Sequence, residues 1–161
     1  MSYLPSFIFV VLFGNLFGQI GSAVNIDSLY KMSSQKLQDE EYENSIYDLL
    51  RIINSDELKK DPSADVKALN VNKQIGFNFF LMENFTLAKY YFNEAAKNAT
   101  RIGDKANAEM GFCMQYTGAC NYFLGKRDEV CDLISAGVLL VGVGNTQDFV
   151  VKIYQELCME E

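Results

Sequence analysis

Two short stretches decide the fold: Asn72-Lys73-Gln74-Ile75-Gly76-Phe77-Asn78-Phe79, and after it Ala88-Lys89-Tyr90-Tyr91-Phe92. Around the first, Ala68, Val71, Ile75, Phe79 and Met82 recur at three- and four-residue spacings, the period of one helix face. Around the second, Ala88, Tyr91, Phe92, Ala95 and Ala99 recur in the same way. Glu83-Asn84 between them is a polar turn. The spacing predicts two helices, over 64–82 and 85–101, joined tightly.

Working outward, the same logic predicts helices over 26–38, 41–54, 105–124, 127–140 and 146–160. Ser55 to Ser63, with Asp61-Pro62-Ser63, reads as a loop, and Pro62-Ser63 before a periodic run as a helix start. Gly103-Asp104 reads as a C-cap and turn. Gly125 breaks the fifth stretch, and Gly142, Gly144 and Asn145 end the sixth. Pro5 and Pro62 are the sole prolines, so long helices are permitted nearly everywhere.

The pairs repeat. Gly118 follows Gly76 by 42 residues in matching surroundings: an aromatic-rich helix, a polar turn (Gly125-Lys126), then a second helix. That second helix carries Val130, Ile134 and Gly137 where the first copy has Ala88, Phe92 and Ala95. An earlier, degenerate copy would match Tyr42, Ser45, Leu49 and Ile52 to Phe85, Ala88, Phe92 and Ala95, with Ser33 in the glycine place.

Asn72, Ile75, Gly76 and Phe79, then Ala88 and Phe92, resemble the tetratricopeptide repeat signature, W-x2-L-G-x2-Y followed by A-x3-F. Asn72 stands in the tryptophan place. The interval from that place to the alanine place is 16 residues, as in the family. Met114, Thr117, Gly118 and Asn121, then Val130 and Ile134, repeat the pattern, with Thr117 departing from leucine. The resemblance spans 26–140 and is strongest over 68–102. It implies an all-α fold: a short right-handed superhelix of stacked antiparallel helix pairs. The repeats would be 26–63, 64–104 and 105–144, and 145–161 a C-terminal cap with Phe149, Val150, Ile153, Tyr154 and Leu157 on one stripe.

The family lines a concave groove with the first helix of each pair. The resemblance therefore points to Asn70, Lys73, Phe77 and Phe80 in the middle repeat and to Phe112, Gln115, Ala119 and Tyr122 in the later one. The expected partner is a protein or peptide in an aromatic-rich groove. The other reading is that these rings pack within the chain itself, leaving a structural or regulatory module without a ligand of its own. Family members that clamp a chaperone's C-terminal carboxylate place Lys and Asn where this chain has Tyr30 and Ser34. The third-repeat cations of that clamp are replaced by Phe112 and Tyr116, so the clamp is absent.

Composition narrows the chemistry. The 161 residues contain no histidine, which removes Ser-His and Cys-His pairs and imidazole metal ligands. The reading is non-enzymatic, with no cofactor and no metal. A formal net charge of −7 disfavours nucleic acid. Gly142-Val143-Gly144 lacks the third glycine of a dinucleotide loop. Asp39-Glu40-Glu41-Glu43 lacks EF-hand spacing and reads as a solvated face.

Residues 1–23 carry no charged side chain and centre on the apolar run Phe7 to Phe13, ending in Gly21-Ser22-Ala23. This reads as a signal peptide, short for a membrane span, with the mature chain over 24–161 secreted or lumenal. An uncleaved segment would instead anchor it to a membrane. Asn84-Phe85-Thr86 and Asn98-Ala99-Thr100 are glycosylation sequons. Cys113, Cys120, Cys131 and Cys158 form no CxxC motif. Cys113 and Cys120 lie about 10 Å apart along one helix and cannot bond. Pairings Cys120–Cys131, Cys131–Cys158 and Cys113–Cys158 stay open, beside four buried free thiols.

Overall fold

The computed structural model describes residues 24–159, so the expected leader over 1–23 lies outside the described residues. Those residues are all helical, with eight α-helices and no strand. They are α1 (Ile26–Gln38), α2 (Tyr42–Ile53), α3 (Asp56–Lys60), α4 (Ala64–Leu81), α5 (Phe85–Ile102), α6 (Asn107–Phe123), α7 (Val130–Val141) and α8 (Asp148–Cys158). Among the described residues no helix is long and apolar enough to cross a membrane.

Seven of these match the periodicity. The eighth, α3, corrects the expected loop over 55–63. Ser55 caps it by accepting a hydrogen bond from the Leu58 N–H at 3.1 Å. Asp56 and Glu57 occupy its first turn and Lys59 and Lys60 its last, each complementing the helix dipole. Leu58 buries itself and pins the turn to the first core cluster.

α1 pairs with α2, α4 with α5 and α6 with α7, while α2–α4 and α5–α6 contacts join successive pairs. The three intra-pair turns are the same turn. Glu40, Glu83 and Gly125 have φ of 60°, 57° and 71°. They stand 43 and 42 residues apart. After each, the next N–H returns to a carbonyl five residues back: Glu41 to Lys36 at 2.8 Å, Asn84 to Phe79 at 2.9 Å, Lys126 to Asn121 at 2.9 Å. This left-handed stop satisfies carbonyls that a helix end leaves open. Only the third copy uses glycine, which takes that φ without steric cost.

The buried positions repeat as well. Ser45, Leu49 and Ile52 on α2 are buried, as are Ala88, Phe92 and Ala95 on α5 and Val130, Ile134 and Gly137 on α7. The degenerate first copy thus packs like the other two.

Three clusters fill the interior. Ile26, Leu29, Ile46, Leu49, Ile52, Val71 and Ile75 join the first pair to α4. Leu69, Ala88, Phe92, Ala95, Cys113 and Tyr116 join α4, α5 and α6. Ala119, Val130, Ile134, Val150 and Ile153 join α6 and α7 to α8. Polar bonds fix the stacking register. The Ser45 hydroxyl donates to the Ser33 carbonyl at 2.9 Å and accepts from Asn78 Nδ2 at 3.2 Å. Lys36 Nζ lies 2.6 Å from the buried Asp48 carboxylate.

Of the three possible disulfides, the structure forms Cys131–Cys158, with Cα atoms 5.7 Å apart. It ties the end of α8 to the start of α7. Cys113 and Cys120 are buried free thiols. Burial pushes both up to about 12 against a nearby lysine's opposing effect.

Candidate functional site: the face shared by α4 and α6

α4 and α6 are the first helices of the second and third pairs, so they present side chains at matching heights. Lys73 Nζ sits 5.4 Å from the Phe112 ring centroid and 3.9 Å from Glu109 Oε1, bridging the two helices. Phe77 and Phe80 from α4 meet Tyr116 of α6 edge-on, at 5.8 and 5.2 Å. Phe112 lies 4.3 Å from the same ring. Tyr116 is therefore the hub, and the sequence had marked it only as a missing cation. Its hydroxyl is pushed up to about 12 by burial.

Lys73, Phe77, Phe80 and Phe112 are thus brought together, each half-buried. Asn70 is half-buried one turn earlier on α4. Gln115 does not join the open face: it is 1% exposed and donates to Thr146 Oγ1 at 3.1 Å. Tyr122 points to α8, donating to Glu156 Oε1 at 2.8 Å. That hydrogen bond, rather than burial, chiefly raises its pKa. Ala119 is fully buried.

α8 reaches the same face. Phe149 packs 5.6 Å from Phe80 and 5.5 Å from Tyr116. Phe85 and the exposed Phe123 stack at 4.6 Å and extend the ring cluster around Phe80. Phe149 was legible in the sequence as part of a cap stripe, but periodicity carries no information about which helices that stripe meets.

The two sequons differ in setting. Asn84 is exposed at the N-cap of α5, where its Oδ1 accepts from the Leu87 N–H at 3.2 Å. Asn98 is 4% exposed, and its Nδ2 donates to the Glu94 carbonyl at 3.0 Å. A glycan on Asn98 has to displace that bond and open the side of α5.

Among the described residues no group of three or more cysteine, aspartate or glutamate side chains could hold a metal ion. Compared with known proteins, the chain matches no family model, no curated protein and no solved structure.

Proposed function

We propose that the chain is an exported, non-enzymatic protein-binding module of the tetratricopeptide type. On this reading the three pairs form a short right-handed superhelix, α8 caps it, and the α4–α6 face takes a peptide or a partner's helix. One observation carries the proposal. Phe77, Phe80 and Phe112 are only partly buried on adjacent first helices, and contacts to Tyr116 hold them in place. Rigid aromatic anchors lose little entropy on binding and dominate interface energy. Export is supported by the apolar leader and by the Cys131–Cys158 bond, a link that oxidising compartments preserve.

A second reading is a structural or regulatory module without its own ligand. The contact favouring it is Phe149, which places part of the chain's own cap on Phe80 and Tyr116. The two readings separate in a pulldown from secreted or lumenal material. Phe77→Ala combined with Phe112→Ala abolishes specific capture on the first reading, with helical circular dichroism retained. Capture unchanged by the double variant sinks the groove.

A further inference from the structure

A concavity lies apart from the aromatic face. α2, α3, α4 and α5 enclose a cleft of about 450 Å³, and none of the partner-binding residues expected from the sequence lines it. Its volume falls in the range of small-ligand sites. Leu50 and Ile53 of α2 and Ala68 of α4 supply apolar wall. Tyr91 of α5 supplies another side, its ring stacked on Phe79 at 5.7 Å and so held in place.

Asn72 lines the cleft from α4. The residue is 6% exposed, so more than nine-tenths of it is buried. Its carboxamide makes no hydrogen bond among the described residues, yet it is not one of their sealed, unpaired polar groups. It opens into the cleft. Only water in the cleft is left to pair with this carboxamide, and a ligand that offers it both a donor and an acceptor replaces that water without losing its hydrogen bonds.

The chemistry of the walls selects the ligand. A carboxamide offers one acceptor and two donors side by side, and its closest complement is another amide. The charged groups at the rim are already matched. Arg101 Nε donates to Asp65 Oδ1 at 2.7 Å, Lys97 meets Glu94 at 2.5 Å, and Lys59 meets Asp56 at 2.8 Å. No unpaired charge calls for an ion.

We propose that this cleft binds a neutral amide bearing an aliphatic group, with Asn72 pairing to the amide and Leu50, Ile53 and Ala68 receiving the aliphatic part. Such an amide occurs in two forms, a peptide unit within a longer chain or a free small molecule.

The test is titration of the isotope-labelled protein with N-acetyl-leucine N-methylamide, read by the Asn72 side-chain amide resonances. A matched titration uses isobutyl isobutyrate, an apolar ester without an N–H. The expected result is a saturable shift with the amide and a response at least tenfold weaker with the ester. Asn72→Leu, which fills the site with an apolar side chain, and Ala68→Leu, which narrows it from a different turn, each weaken amide binding at least tenfold. Backbone resonances of Leu50 and Tyr91 report binding in both variants, and thermal unfolding confirms that they fold. A capped pentapeptide with central leucine then distinguishes the sources. Tenfold tighter binding assigns a peptide segment and equal binding a small amide, and both support amide recognition. No saturable shift (a cleft holding only water), equal binding of the ester, or binding unchanged in a folded Asn72→Leu variant overturns the proposal.

Discussion

The Phe92 ring lies 3.0 Å from the point where a Cβ on Gly76 would stand, and Ile134 Cγ1 lies 2.9 Å from the equivalent point on Gly118. Both residue pairs are 16 positions apart, and the pairs themselves are 42 positions apart. The repeat is therefore a repeated contact as well as a repeated pattern. Phe92 is fully buried and cannot swing into solvent. Gly76→Ala and Gly118→Ala each destabilise by about 1–3 kcal/mol through overpacking. Gly144→Ala, with nothing within 4 Å and no positive φ, stays within about 0.5 kcal/mol. Urea unfolding of the three variants checks the ordering.

The three matching turns predict substitutions of opposite sign. Glu40 and Glu83 hold φ near +60° with a side chain attached. Glu83→Gly relieves that conformation and stabilises by up to about 1 kcal/mol, the αL penalty less the freedom glycine gains on unfolding. Gly125→Ala introduces the same penalty at the third turn and destabilises by about 1 kcal/mol. Melting curves that move in the same direction for both variants would contradict the equivalence of the turns.

Cysteine chemistry divides the four thiols into two pairs. Under native conditions at pH 8, Cys113 and Cys120 resist alkylation because burial keeps them protonated. Their folded pKa lies above the unfolded value. The stability they contribute is complete below about pH 9 and falls as pH rises toward 12. Reduction of Cys131–Cys158, which closes a 27-residue separation, removes up to about 3.5 kcal/mol by chain entropy. Hydrogen exchange along α8 should rise first. Intact mass after alkylation, with and without denaturant and reductant, counts each class.

The sequons predict a single modification. Folded protein produced through a eukaryotic secretory pathway carries a glycan on the exposed Asn84 and none on Asn98, whose amide nitrogen is engaged inside the fold. Asn84→Gln removes the mass increment, and Asn98→Gln leaves it. A glycan mapped to Asn98 in folded material would show that the end of α5 packs differently.

Much of this fold was legible because helix faces have a fixed period. Seven helices, the turns at Glu83 and Gly125, and the correspondence of Gly76 with Gly118 all follow from spacing. α3 escaped because five residues are too few to show a period, although Ser55-Asp56-Glu57 followed by Lys59-Lys60 carries a start and a stop. The aromatic face was half legible. Lys73, Phe77, Phe80 and Phe112 came from repeat geometry, whereas the burial of Gln115 depends on Thr146, 31 residues away. The cleft beside Asn72 was invisible for the same reason: four helices make it, and the sequence shows only one amide within a periodic run.

Binding of a peptide or a partner's helix at the α4–α6 face, as proposed, is open to direct measurement. Its most direct test takes the tightest peptide selected from a random library against the oxidised protein and measures its affinity by calorimetry. The predicted result is one-to-one binding that Phe77→Ala with Phe112→Ala weakens at least about tenfold, as loss of central aromatic anchors does. Asn72→Leu leaves that affinity unchanged. Equal affinity for the wild type and the folded double variant would contradict peptide binding at this face.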